Sequence, residues 1–144
     1  MNSIQSMNRA ADNIRILAAS MVEKAKSGHP GGAMGGADFI NVLYSEYLQF
    51  DPKNPTWMGR DRFFLDPGHM SPMLYAQLAL IGKFSMEELQ QFRQWGSPTP
   101  GHPEVCYERG IENSSGPLGQ GHAYAVGAAI AAKFLSARTG NPTF

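Results

Sequence analysis

Apolar residues recur at helical spacing in several segments of this chain. From Ile14 to Ala25 they fall at i, i+3, i+4 and i+7, which predicts an amphipathic helix that stops before Gly28. A second apolar stripe predicts a helix over about 36–48. Ser71 as a cap followed by Pro72 predicts the start of a third helix that runs to about residue 82, and two more are predicted over about 86–95 and from Pro117 or Gly119 to about 138. A Ser-x-x-Glu capping box at residues 85–88 supports the start of the fourth of these five helices. Helices are therefore expected to dominate the chain.

One short apolar run has the character of a strand. Residues 61–68 read Asp-Arg-Phe-Phe-Leu-Asp-Pro-Gly, with breakers on both sides, and predict a buried strand that delivers His69 at its carboxyl end. Ligands of open α/β sheets bind outside the carboxyl ends of strands. Since one strand cannot form a sheet, either other strands escape the pattern or the rest of the sheet lies outside this chain. The expected fold class is α/β, mostly helical here, with one or two short parallel strands.

A glycine-rich turn precedes the last predicted helix. Residues 114–121 read Ser-Ser-Gly-Pro-Leu-Gly-Gln-Gly, so a serine could cap the helix and Pro117 could occupy its first turn. The glycines would let another group approach the backbone closely. The alanine- and glycine-rich residues 123–132 then predict a buried helix whose N-terminus serves a site. A glycine-rich turn before a helix is more often a simple connection than a binding site, so this turn alone does not establish a site.

Composition narrows the function classes. The chain has 144 residues, 42% hydrophobic and 17% charged, as expected for one folded domain. A formal net charge of +0 without a Lys/Arg cluster argues against nucleic acid or an anionic membrane as partner. The single cysteine, Cys106, excludes an internal disulfide and a cysteine metal cluster, and fits a reducing cytoplasm. No apolar run reaches the ~18 residues of a membrane span.

All four histidines follow a glycine, and three lie in turns at predicted element boundaries. They are His29, His69, His102 and His122. Binding and catalytic residues often lie on loops, so histidines in turns are candidates for a functional site. These four are too far apart in sequence for the paired spacing of a zinc site. Nothing marks Cys106 as an activated nucleophile. Neutral imidazoles could instead line a pocket for a polyhydroxylated or phosphorylated ligand, donating, accepting and moving protons near pH 7.

Four motifs in order carry a resemblance to a known family. They are Ser-Gly-His-Pro-Gly at 27–31, Asp-Arg-Phe through Gly-His at 61–69, Thr-Pro-Gly-His-Pro-Glu at 99–104 and Gly-Pro-Leu-Gly-Gln-Gly at 116–121. Together they resemble the N-terminal part of the thiamine-diphosphate-binding domain of transketolase. The resemblance covers about residues 10–138, so residues 1–144 are predicted to form part of that domain.

This resemblance implies an activity for the complete protein. Transketolases use thiamine diphosphate to transfer a two-carbon ketol unit between ketose and aldose phosphates in the pentose phosphate pathway. It further implies a cytoplasmic homodimer and a divalent metal, Mg or Ca, whose ligands are not in this chain. The family's metal motif and pyrimidine-binding domain are missing, so the chain is expected to be a fragment that is inactive alone. Its expected partners are sugar phosphates and the rest of the enzyme, as continuing chain or complementary subunit.

The resemblance also assigns residues. His29 is similar to the catalytic histidine at the reactive carbon of the cofactor, which also contacts substrate hydroxyls. His69 resembles the histidine beside the thiazolium and diphosphate, and His102 the one that binds the terminal hydroxyl of the donor sugar. The loop that holds the aminopyrimidine side of the cofactor is matched by Gly116, Pro117 and Leu118.

Some positions depart from the usual family pattern. Gly32–Gly36 is unusually rich in glycine, Asp66-Pro67 stands where Ser-Asn is common, and His122 stands where an aliphatic residue is common. His122 is interpreted as an incidental helix residue. These differences leave the cofactor assignment intact and put the substrate preference in question.

Two alternatives stay open. Residues 68–72, Gly-His-Met-Ser-Pro, also resemble thiamine-diphosphate enzymes that decarboxylate 2-oxo acids. From another class, the chain could be a mostly helical docking subunit without catalysis. A docking subunit would not need His29 and His102, so their replacement by alanine separates it from an enzyme.

Overall fold

The computed structural model describes residues 2–141 of the chain. Within that span it contains six α-helices: α1 (Ile4–Ala25), α2 (Pro30–Gly35), α3 (Ala37–Val42), α4 (Ser71–Leu80), α5 (Met86–Gln90) and α6 (Gln120–Thr139). A π-helical turn, Leu43–Tyr47, continues α3, and 3₁₀ turns cover Gly68–Met70 and Tyr107–Arg109. The domain predicted over 1–144 stays a prediction at its ends, because Met1 and residues 142–144 lie outside the described residues.

Helix α1 confirms the first predicted helix but begins ten residues earlier than the apolar pattern. The hydroxyl of Ser3 caps it by accepting a hydrogen bond from the Ser6 amide at 3.1 Å. The first turns are polar, and burial begins only at Ala11. An apolar stripe reports where a helix meets the core, so it misses a solvated first turn.

Between α1 and α3 the chain forms a short helix, α2, that the sequence pattern did not predict. Pro30 does not break the structure there; it is the first residue of α2, and His29 is the N-cap residue with extended backbone. The fixed φ of proline suits a first helical position, where its missing N–H costs nothing. The helix predicted over 36–48 is observed as α3 and its π-helical continuation.

Helix α4 forms the centre of the core. Every residue from Ser71 to Ala79 is buried, and α1, α2, α3 and α5 all pack against it. The ring of Tyr75 lies 5.4 Å from that of Phe84 and 6.3 Å from that of Phe92. The predicted capping box of α5 is confirmed, although α5 ends at Gln90 and not near Trp95.

The predicted strand over 61–68 is wrong for the described residues. Within 2–141 no strand forms, and the sole bridge recorded there is an isolated antiparallel one between Cys106 and Ile111. The backbone of Leu65 is instead paired with the Asn113 side chain, whose oxygen accepts from the Leu65 amide at 3.0 Å. A strand requires a neighbouring strand, and a buried apolar run does not supply one.

Helix α6 ends within one residue of its predicted end but begins at Gln120, after Pro117, and the prediction that it is buried is wrong. Among its residues only Gly121 is buried, while Val126, Ile130 and Phe134 are 60%, 65% and 60% exposed. The small side chains of this segment predicted a closely packed helix, but in the structure its apolar face is exposed to solvent. None of the helices in residues 2–141 is long and apolar enough to cross a membrane.

Candidate functional site

The structure brings two of the predicted histidines into contact. The rings of His29 and His69 have centroids 4.7 Å apart and planes inclined by 44°. His29 precedes α2, and His69 lies in the 3₁₀ turn that leads into α4. Helix starts in different parts of the chain therefore present both imidazoles at one place.

Gly28 explains how the chain can place His29 there. Its φ of +137° is one that L side chains rarely adopt. A Cβ at this position would lie 3.0 Å from Val22 Cγ2 and 3.3 Å from Phe92 Cε1. Glycine thus permits a sharp turn directly against the core.

His102 lies on a loop that α4 holds in place. The Ser71 hydroxyl donates to the Gly101 carbonyl at 2.7 Å, and the Tyr75 hydroxyl donates to the Pro100 carbonyl at 2.9 Å. Burial and the charge of Glu104 raise the pKa of Tyr75, so its hydroxyl keeps the proton that it donates. Ser71 had been predicted to cap α4; its side chain anchors this loop instead.

Partial burial lowers the pKa of His102 below its ordinary value, and positive charge on Arg93 adds to the effect. His69 and His29 act in the same direction, which places all three imidazoles in one electrostatic neighbourhood. A neutral His102 at pH 7 can donate a hydrogen bond to a ligand hydroxyl or accept one from it.

The glycine-rich loop closes the other side of the cluster. A Cβ at Gly68 would lie 2.9 Å from both Gly116 N and Ser115 Oγ, so the His69 turn and this loop are in direct contact. A Cβ at Gly116 would lie 3.7 Å from His102 Nδ1. The four motifs singled out in the sequence therefore converge on one place.

The expected serine cap of α6 is wrong. Gly119, with φ of +90°, is the N-cap residue of α6, and no side chain caps the helix. Ser114 Oγ accepts a hydrogen bond from the Val105 amide at 2.9 Å instead. Pro117 is exposed outside the helix, and Leu118 is 74% exposed, so both side chains are accessible to solvent.

Two further residues of the site escaped the sequence reasoning. The Ser115 hydroxyl is buried and has no hydrogen-bond partner among the described residues, which is costly unless another group supplies one. Arg93 acts on His102 by its charge, but its sequence neighbourhood carried no motif. Within residues 2–141 no group of three or more His, Cys, Asp or Glu side chains could hold a metal ion.

The interpretation of His122 as an incidental helix residue overlooks a contact. His122 Nδ1 lies 2.7 Å from Asp66 Oδ2, and the two side chains are 83% and 6% exposed. Both positions depart from the family pattern, and the structure pairs them with each other across the start of α6.

Replacing His122 with alanine is expected to lower the free energy of unfolding by less than about 1 kcal/mol. The imidazole is solvent-exposed, so the pair is weak, and its loss opens Asp66 to water. Urea unfolding of the variant and the parent chain measures the difference. A loss above about 2 kcal/mol would show that this pair is a principal anchor of α6.

Comparisons with known proteins agree on one family. The family described as "Transketolase, thiamine diphosphate binding domain" matches residues 6–144. Transketolase-1, chloroplastic, of Arabidopsis thaliana is 54% identical over 138 residues, 94% of this chain and 19% of that protein. Transketolase 1 of Escherichia coli K12 is 51% identical over 140 residues, 96% of this chain and 21% of that protein.

Solved structures give the same result. A transketolase from Leishmania mexicana superposes with a TM-score of 0.90 at 45% identity, covering 99% of this chain and 21% of its own. A Pichia stipitis transketolase in complex with sedoheptulose-7-phosphate has a TM-score of 0.85 at 43% identity, covering 90% and 19%. The chain thus spans about one fifth of the length of the relatives that it matches.

Proposed function

This chain belongs to the transketolase family, and we propose that the complete protein transfers a two-carbon ketol unit from a ketose phosphate to an aldose phosphate. The observation that carries the proposal is the convergence of His29, His69 and His102 beside the Gly116 loop. The family favours this reaction over the decarboxylation of 2-oxo acids and over a docking subunit without catalysis.

The loop residues fit thiamine diphosphate. Ser115 offers a buried hydroxyl without a partner among the described residues, and Leu118 offers an exposed apolar side chain that could support a ring. Gly116 brings the loop backbone close to the His102 ring, since a Cβ there would lie 3.7 Å from His102 Nδ1. When bound, the cofactor supplies the nucleophilic carbon of the reaction, and the protein supplies orientation and electrostatics. We assign Gly116, Pro117 and Leu118 to its aminopyrimidine side.

The histidines receive separate roles in this proposal. His29 moves a proton at the reacting centre and holds a substrate hydroxyl, His69 lies beside the thiazolium and diphosphate, and His102 binds the terminal hydroxyl of the donor sugar. A neutral His102 suits a hydroxyl ligand because it does not have to lose a proton before it accepts a hydrogen bond.

Other parts of the proposal concern the rest of the enzyme. A divalent metal, Mg or Ca, would be held by ligands outside the described residues. The exposed apolar side chains of α6 support coverage by further chain, by a complementary subunit or by a second copy in a homodimer. The single cysteine supports a cytoplasmic location, although some relatives are named chloroplastic. The family supports a place in the pentose phosphate pathway.

The function is tested on the complete enzyme, whether it is one longer polypeptide or this chain with a complementary subunit. With a ketose phosphate donor and an aldose phosphate acceptor, we expect ketol transfer that requires thiamine diphosphate and a divalent metal. Decarboxylation of 2-oxo acids should be at least about 100-fold slower in kcat/KM, since the site is built to hold sugar hydroxyls. A reversed preference would refute the proposal.

The 144-residue chain by itself is the matched control. We expect it to show no ketol transfer, because the residues described here contain no candidate metal cluster. Transfer by this chain alone at a rate near that of a complete relative would contradict the proposal that further parts of the enzyme are required.

A further inference from the structure

Arg93 occupies an unusual backbone position between α5 and the His102 loop. Its φ is +61°, in the left-handed region that non-glycine residues seldom adopt. Its amide donates to the Thr99 carbonyl at 3.0 Å, which closes a turn over residues 93–99. A left-handed non-glycine residue persists only where its surroundings fix it, so the direction of this side chain is set by the fold.

The Arg93 side chain reaches both histidine loops. Its Nη1 donates to Ser27 Oγ at 2.8 Å, two residues before His29. On its other side, a Cβ at Gly101 would lie 2.7 Å from Arg93 Nε and 3.0 Å from Cζ, one residue before His102. The guanidinium is thus inserted between the two loops, and glycine at 101 makes the room for it.

We propose that Arg93 is a positioning residue that sets the spacing between His29 and His102, because its guanidinium hydrogen-bonds Ser27 and packs against Gly101. The inference rests on the proposed ketol transfer, in which both histidines contact the sugar. It follows from geometry: sequence separates the two loops by over seventy residues, and this side chain contacts both. A planar guanidinium suits the position because it can pack flat in the space at Gly101 while Nη1 donates to Ser27 in a fixed direction, which a flexible lysine ammonium does not. Its buried Nε has no hydrogen-bond partner among the described residues.

The positive charge of Arg93 also affects His102, the residue that we assign to the donor sugar. Arg93 is one of three groups that act on His102, together with His69 and His29, and all three lower its pKa. Removal of the Arg93 charge should therefore raise the His102 pKa toward its ordinary value of about 6.5. A residue that only stabilised the fold would not produce this shift in a variant that stays folded.

Three substitutions in the complete enzyme separate the contacts of Arg93 from its charge. R93M removes both, R93K keeps the charge without the planar guanidinium, and S27A keeps Arg93 but removes its hydrogen bond. Arg9, an exposed arginine of α1, gives the matched control R9M. We expect R93M to lower kcat/KM for the ketose donor by roughly 10- to 100-fold, since a small misplacement of reacting groups is costly. R93K and S27A should lower kcat/KM by a smaller factor, and R9M should leave it unchanged.

Two measurements decide the outcome. NMR titration of His102 should show a raised pKa in R93M and an unchanged pKa in R93K and S27A. Thiamine diphosphate affinity should stay within about threefold of the parent in all variants, because the Arg93 hydrogen bond and packing contact are to Ser27 and Gly101 and not to the residues assigned to the cofactor. An unchanged kcat/KM in R93M, or a loss matched by equal losses of cofactor affinity and thermal stability, would overturn the proposal. If the parent enzyme lacks ketol transfer, the proposed function fails, whereas the titration still tests the coupling of Arg93 to His102.

Discussion

Replacing His29 with alanine in the complete enzyme is expected to lower kcat for ketol transfer by about 10²- to 10⁴-fold, the usual contribution of a positioned proton-transfer group. The imidazole lies 4.7 Å from that of His69, whose turn contacts the 115–116 segment of the glycine-rich loop. Alanine removes the ring without disturbing a core contact, since His29 is exposed at the start of α2. Steady-state kinetics with a ketose phosphate donor measure the loss.

The same experiment needs a histidine of equal sequence context as its control. His122 also follows a glycine and is exposed, but it points at Asp66 and not at the cluster. His122→Ala should keep kcat within about twofold of the parent, and His29→Ala should keep thiamine diphosphate affinity within about threefold. Equal activities of the two variants would remove His29 from the catalytic site and revive the docking-subunit alternative.

The helices that face the core could be predicted from the sequence, and the reason is physical. Buried stripes such as that of α1, and the capping box of α5, are local patterns with a direct structural cause. The start of α1 and the whole of α2 were missed because their short or polar turns carry no apolar stripe. Packing against α1 and α4, and not propensity, makes α2 a helix.

Features that depend on partners could not be predicted. The apolar run at 61–68 is typical of a buried strand, but pairing is a property of two segments, and Asn113 takes the place of a neighbour at Leu65. In α6 the small residues indicated close packing, whereas the described residues leave its apolar face in solvent. In both cases the composition indicates burial without specifying what covers the segment.

The candidate site divides in the same way. The loops of the site could be predicted from the sequence, because histidine next to glycine or proline is a local pattern. The roles of their residues came from the family resemblance and remain proposals. Their convergence and the part played by Arg93 required the fold, since no spacing relates Ser27 to Gly101. The pairing of Asp66 with His122 could not be predicted, because the two residues are distant in sequence and only the fold brings them together.

Replacing Gly121 with alanine is expected to destabilise the chain by at least about 2 kcal/mol, although alanine is the better helix former by about 1 kcal/mol. A Cβ at this position would lie 2.5 Å from Asp66 Cβ and 2.6 Å from the Leu65 carbonyl oxygen. Leu65 cannot yield easily, because Asn113 holds both its amide and its carbonyl. Denaturant unfolding of the 144-residue chain measures the change in free energy.

Gly127 on the same helix provides the matched control. A Cβ there would meet no atom within 4 Å, so Gly127→Ala should stabilise the chain by about 0.5–1 kcal/mol through helix propensity alone. If Gly121→Ala lowers the free energy of unfolding and Gly127→Ala raises it, α6 is fixed to the 65–66 segment at Gly121 and is free at Gly127. If both variants were stabilised, the start of α6 would not be held against Leu65. The loop at 116–118, which leads directly into this helix, would then lack the fixed position that the proposed cofactor site requires.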